Sequence, residues 1–294
     1  MRSEKSRKYT KILSLSSLDG IFALGLLRRL YDLPFVFRLR VRKANNSIIL
    51  GVPLSFDSEL SNCFIIDNAR CDRFIRSMGG NISLCQNDYG SLTDLIVDVF
   101  GLDIPDSFLN TIYNICTGAI NEDLEAEKMY VAWLSSNFPT LRRIVDFIRD
   151  RNWERIKEWS YRMYKSPRAT KIKQLSDGFL KKPKVMDPGI YVLRYNVDDW
   201  FQRKSIRLAI EKLRPNARVV VAVGVHGNNR VAMCYIASIR SLEKLYSELE
   251  SSEWITIARP HLLRIIMGES YIDYNSFTSQ FLMFLKRRLR RLRF

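Results

Sequence analysis

Histidine is nearly missing from this chain, which holds only two among 294 residues, His226 and His261, both in the last third. Two imidazoles so far along the sequence exclude a histidine-rich metal centre built on the first half. The five cysteines, at 63, 71, 85, 116 and 234, form no CxxC pair. That spacing excludes a zinc ribbon and predicts free thiols in a reducing compartment. No apolar run approaches the roughly 20 residues that span a bilayer. The basic start is followed by Ser16, Ser17, Asp19 and Gly20, which break any signal-peptide core. No membrane partner is expected, and the expected location is cytoplasmic and nucleoid-associated. There is no GxxxxGK[ST] loop and no GxGxxG, so nothing implies a nucleotide cofactor. A Ser17, His261 and Asp67 triad lacks the Gly-x-Ser-x-Gly turn that would expose the nucleophile. Internal repeats and low-complexity tracts are also absent.

What remains is apolar enough to fold. Hydrophobic residues make up 47% and aromatic residues 12% of the chain, enough for two domains with separate cores. The net charge is +16 and it is segregated. Residues 1–11 carry +4, residues 165–184 carry +6, and the last nine residues, from Lys286, carry +6, which leaves the rest formally neutral. A solvated surface mixes both signs, whereas one-signed blocks suit a polyanion, most simply nucleic acid.

The organising stretch is residues 11–31. A short apolar run (Ile12, Leu13, Leu15) meets a polar cluster, Ser16, Ser17 and Asp19, and helical spacing begins at Gly20. Strand, polar turn and helix is where active sites form in open α/β sheets, and helix amino termini favour anions. Asp19 is either a helix cap or part of such a site. Strands are then expected at 35–42, 47–51, 63–68 and 81–85, with helices at 72–78, 90–100 and 105–116. Residues 121–158 read as amphipathic helix, and the basic stretch 165–184, with two prolines, reads as a connection. The alternation restarts with a strand at 189–195, a helix at 199–213 and a hairpin over 217–237 turning at His226. A helix at 242–249, a strand at 254–257 and a helix from 275 complete it. The expected architecture is α/β: a mostly parallel sheet in an N-terminal domain (1–124), a helical and basic connection (125–185), and a smaller C-terminal α/β domain with a mixed sheet (186–294).

Several stretches resemble the DHH phosphoesterase superfamily and its RecJ-like members. Ser17-Leu18-Asp19-Gly20 resembles the Asp-x-Asp-Gly turn of that family, with Ser17 for the first Asp. Ile66-Asp67-Asn68-Ala69 resembles either the naming Asp-His-His triplet or the earlier Asp-Asn-Gly, and Asp67 matches in both alignments. Gly90-Ser91-Leu92-Thr93 is similar to the Ser-containing helix start that follows, and Asn121-Glu122-Asp123 falls where the last metal-binding Asp stands. Residues 230–238 resemble the strand that ends in Arg-Ser, and Ala258-Arg259-Pro260-His261 replaces Gly-Gly-Gly-His.

The resemblance implies a two-lobed DHH-type fold with Ser17, Asp19, Asp67 and Asn68 as vestigial metal positions, no bound metal, no cofactor and no enzymatic activity. It further implies the GINS-associated branch that archaea carry, in which a RecJ-like subunit supports the MCM helicase (the CMG assembly) during DNA replication. The alternative is a residual Mn- or Mg-dependent single-strand exonuclease or oligonucleotide phosphodiesterase. Nucleic-acid contacts are expected at Arg259, His261 and Arg264, at Lys181, Lys182 and Lys184, and at Lys286, Arg287, Arg288, Arg290 and Arg291 in the tail.

Overall fold

The computed structural model describes residues 8–68, 76–77, 80–86, 88–227, 229–238, 242, 245, 255–259, 262–267 and 273–291. The chain divides into two compact units, Met1–Thr117 with Glu122–Lys165, and Gly118–Asn121 with Ser166–Phe294. It is an α/β protein, with a parallel sheet in the first unit and a mixed sheet in the second. The stretch 125–185 is shared between them.

The first unit holds a five-stranded parallel sheet in the order β2 (Phe35–Phe37), β1 (Lys11–Ser14), β4 (Ser47–Leu50), β6 (Phe64–Asp67), β8 (Ile82–Cys85). Ile12, Ile48, Ile49, Leu50 and Ile66 are all fully buried. Strands whose successive side chains are buried on both faces are those of a parallel sheet under helices. A smaller parallel sheet, β3 (Val41–Asn45), β5 (Leu54–Ser61) and β7 (Arg76–Ser77), stands beside it in sequence. The expected strand over 35–42 is therefore two strands in two sheets, broken where Leu39 is left exposed. The expected helix at 72–78 is also corrected: Arg76 and Ser77 pair with Glu59 and Leu60 as strand, and the rest of that stretch lies outside the described residues. The strand β5 was not expected, because its polar residues hide the alternation.

The helices of this unit are α1 (Leu18–Leu27), α2 (Leu92–Phe100), α3 (Asp106–Thr117), α4 (Leu124–Ser135), α5 (Phe138–Arg149) and α6 (Trp153–Tyr164). In α1 nine of ten residues are buried, and Asp19 is the exception. A helix apolar all round is a core helix, and each large side chain it buries contributes about 1.5–3 kcal/mol. The partner helix α5 presents Leu141, Ile144, Val145 and Ile148 at i, i+3, i+4, i+7. Gly25 permits their approach, since a Cβ there would stand 2.5 Å from the Ile148 Cβ.

The second unit is a six-stranded sheet in the order β13 (Ile255–Arg259), β14 (Leu262–Ile266), β12 (Val231–Ala237), β11 (Val219–Val225), β10 (Ile190–Asn196), β9 (Lys184–Asp187). Among the described residues of this unit only β10 and β11 pair in parallel, across the helix α8 (Trp200–Leu213), and every other pairing is antiparallel. Alternate residues feed two cores. Val221, Val223, Cys234 and Ile265 meet Phe277 and Phe281 of α9 (Tyr274–Arg291). Tyr195, Val220, Ala222 and Tyr235 meet Ile206 and Ile210 of α8. The basic connection expected at 165–184 is largely a helix, α7 (Pro167–Lys181). Ser166 caps it and Pro167 sits in its first turn, where a missing N–H costs nothing.

The expectation of five free thiols is corrected at Cys85, which is disulfide-bonded; Cys63, Cys116 and Cys234 are free. The spacing carries no trace of that pairing. Among the described residues no helix is long and apolar enough to cross a membrane.

Candidate functional site

Residues 14–20 form the turn from β1 into α1, and the sequence accounts for each step. The Ser17 hydroxyl accepts from the Gly20 amide and caps α1. Gly20 is required by closeness, since a Cβ there would meet the Leu15 carbonyl oxygen at 2.7 Å. Asp19 is thereby released from capping its own helix and turns to another. Its carboxylate accepts from the Leu92 amide at 2.8 Å, the Thr93 amide at 2.9 Å and the Thr93 hydroxyl at 2.7 Å. Ser91 supplies the remaining cap of α2 by accepting from the Asp94 amide. The amino terminus of α2 thus receives a carboxylate from α1 and a hydroxyl from its own cap, as its dipole favours. Asp94 lies in the same cluster, and burial first, then the Asp19 charge, pushes its carboxyl up.

Asp67 ends β6, Asn68 follows it, and both are buried. Two strand spacings separate β6 from β1 through β4, about 10 Å of sheet. Asp123 caps α4 by accepting from the Glu125 and Ala126 amides, and it also accepts from the Asn114 side chain. A two-cation phosphoesterase centre needs several carboxylate oxygens facing shared ions. Both oxygens of Asp19 face α2 instead, and among the described residues no three His, Cys, Asp or Glu side chains gather closely enough to hold an ion. The described residues do not fit that group.

The second unit concentrates cations and aromatic rings on α7 and α8. Lys171 of α7 lies 4.3 Å from the centroid of Phe201, and Lys204 lies 5.6 Å from that of Trp200. The two rings meet edge to face at 5.0 Å. Burial, with Arg207 and Arg203 nearby, lowers the Lys204 ammonium to about 8. Deeper in, Tyr195 and Tyr235 stack at 6.4 Å. Burial raises Tyr235, yet the charges and hydrogen bonds of Arg207 and Arg264 outweigh it and bring the phenol below its usual range. Tyr195 moves the other way, because burial and the Tyr235 charge both disfavour its phenolate.

Of the expected nucleic-acid contacts, Lys181, Lys182 and Lys184 are exposed where α7 passes into β9. Arg264 is half-buried in β14, opposite Tyr235 in the ladder. Arg259 ends β13, and His261 lies outside the described residues. Lys286, Arg287, Arg288, Arg290 and Arg291 all fall within α9, with Arg287 exposed. The structure draws together Ser17, Asp19 and the head of α2, but leaves Asp19 committed to helix amides. Sequence reasoning missed Asp94, Lys171, Trp200, Phe201 and Arg207. The signal for the aromatic pair was the Asp199-Trp200-Phe201 cap with Lys204 four residues after Trp200.

No family model matches the chain, and no curated protein matches its sequence. Solved structures do. An exopolyphosphatase-related protein from Bacteroides fragilis superposes with a TM-score of 0.53 at 13% identity, over 99% of this chain and 95% of that one. RecJ from Thermus thermophilus, solved with Mg2+, gives 0.51 at 10% identity over 97% of this chain and 51% of RecJ. These likenesses fix the DHH-type, RecJ-like fold. They also overturn the expectation that the chain is not an enzyme: broken motifs are no mark of inactivity on a fold carried by an exopolyphosphatase-related protein and a Mg2+-bound RecJ.

Proposed function

We propose that this chain engages single-stranded nucleic acid along its phosphodiester backbone, as a RecJ-like protein. The observation that carries the reading is the cation and aromatic face of α7 and α8, where Lys171 covers Phe201 and Lys204 neighbours Trp200. Non-specific single-strand binding combines this pair of features, phosphate contacts from Lys and Arg and stacking of bases on aromatic rings. Exposed Lys181, Lys182 and Lys184 continue the charge from the same helix. The test is fluorescence anisotropy of a labelled oligonucleotide across a salt series. Lys171→Glu reduces affinity and lowers the salt slope by at least about 0.7, the share of one phosphate contact on a single strand. Trp200→Ala reduces affinity by about 1–3 kcal/mol with the slope unchanged. Affinity indifferent to both substitutions refutes the face.

The fold supports a second reading, hydrolysis of single strands or short oligonucleotides with Mn or Mg, tested on end-labelled single-stranded DNA. Persistence of the substrate over a saturating enzyme and metal range would remove it. The segregated basic charge supports a finer form of the first reading, an archaeal counterpart of cell division control protein forty-five that serves the replicative helicase with GINS and MCM. Affinity purification from the native cell that recovers no GINS subunit removes that form.

A further inference from the structure

The hairpin turn at His226 is not absorbed by either reading. It closes the carboxyl ends of β10 and β11, the parallel pair that α8 connects. In open α/β sheets the carboxyl edge of such a crossover is where ligands seat. Here it holds a cavity of about 300 Å³ lined by Arg194, Tyr195, Asn196, Gln202, Val225, His226 and Gly227, the lower end of the range for small-ligand pockets.

The cavity's polar groups are fixed from behind. His226 Nδ1 lies 2.8 Å from an Asp198 oxygen, and the other Asp198 oxygen accepts from the Gly227 amide. Hydrogen-bonding to His226 holds the Asp198 carboxyl below its ordinary range. Among the described residues the second ring nitrogen of His226 has no partner. The Arg194 guanidinium sits 4.6 Å from the Tyr274 ring centroid and donates to the Asn229 side-chain oxygen. Gln202 accepts from the Asn196 amide, which holds the head of α8 against β10.

The nearby carboxylates are each spoken for. Asp198 holds His226 and Gly227, Asp199 caps α8 through the Phe201 and Gln202 amides, and Asp273 accepts from the Asn275 and Ser276 amides. Among the described residues, no carboxylate pairs with Arg194. A guanidinium with spare N–H groups and an imidazole locked by an aspartate therefore face one small cavity whose lining holds no carboxylate. Arginine forks match phosphate oxygens in pairs, and charge-assisted contacts are the strong ones. We infer that this cavity is a binding site for a phosphate monoester, with Arg194 gripping the phosphoryl oxygens and His226 as the second contact.

The test is isothermal titration calorimetry on the full chain with inorganic phosphate, adenosine 5′-monophosphate and adenosine. Phosphate and the nucleotide bind and adenosine does not. A tighter nucleotide identifies the ligand as a nucleoside monophosphate, and equal affinities identify free phosphate; both uphold the site. Arg194→Ala and His226→Ala each weaken binding at least tenfold, with the folded circular dichroism spectrum retained and oligonucleotide affinity unchanged. Should Arg194 not tolerate alanine, Arg194→Gln, which keeps the apolar stem and removes the charge, serves the same comparison. No binding of either phosphate compound, binding of adenosine as strong as that of its monophosphate, or binding that survives loss of the Arg194 charge overturns the inference. Oligonucleotide affinity depends on α7 and α8, so failure here leaves the nucleic-acid reading standing.

Discussion

Asp19→Ala is the substitution that most directly tests what the β1–α1 turn does. The residue accepts three hydrogen bonds, from two backbone amides and one hydroxyl at the head of α2. Leu92 and Thr93 are both buried, so their amides find no water when the carboxylate is removed. Each buried donor left unpaired costs about 1–3 kcal/mol. The Thr93 hydroxyl keeps a second acceptor, the Asp19 main-chain oxygen at 3.2 Å, and adds little to the loss. The helix also forfeits a negative charge at its amino terminus, about 0.3–1 kcal/mol. Relief of the charge opposing Asp94 offsets part of this. The net expectation is a loss of about 2–4 kcal/mol in the first unit, and about half that for Asp19→Asn, which keeps one acceptor. Because two units need not unfold together, the measurement is native-state hydrogen exchange read amide by amide, with urea unfolding alongside. Amides 92 and 93 should lose protection first. Unchanged protection at both amides, with stability within about 0.5 kcal/mol of the parent, would refute the cross-helix cap and return Asp19 to chemistry.

Other substitutions probe the rest of the argument. Asp94→Asn should stabilise the protein at neutral pH: a raised native pKa means the folded state binds its proton more tightly, so stability falls as pH climbs above 3.8, and the variant should lose that part of the slope in a urea series. Lys204→Met should flatten the profile at the other end. The unfolded ammonium at 10.5 holds protons that the native one, at about 8, has released, so the parent gains stability between those values and the variant should not. Gly25→Ala should destabilise by about 1–3 kcal/mol, because crowding against Ile148 exceeds the helix-propensity gain of about 1 kcal/mol; a more stable variant would show that α1 and α5 can separate without penalty.

Much of the fold was legible because its signals are local. The apolar runs of β1, β4 and β6 and the 3.6-residue spacing of α5 each lie within a window of about a dozen residues, whereas the cap expected at Asp19 stands two residues earlier, at Ser17. What failed depended on distant partners. Whether residues 35–42 stay in one sheet is decided by Ser14, which receives the Arg38 amide, and by Ser58 and Pro53, which bond Val41. The strand β7 exists only because Glu59 and Leu60 lie beside it.

The same distinction governs the candidate site. Position was readable: Ser17 and Asp19 stand at the carboxyl end of β1, as the strand-to-helix switch required. Direction was not. An aspartate two residues past a helix cap can face its own first turn, a bound cation or the head of another helix, and the choice rests on what stands 73 residues later, at Leu92. Here two buried amides and a threonine hydroxyl stand there, donors that an ion would not supply, so the carboxylate turns to them. Asp198 shows the converse case. Nothing local marks it, yet the crossover brings His226 to it from 28 residues away. A carboxylate bound to amides stabilises a helix, whereas one bound to an imidazole on an open cavity orients a ring toward whatever enters. By that measure the first unit's conspicuous acid is structural, and the second unit's inconspicuous one is the better guide to a ligand.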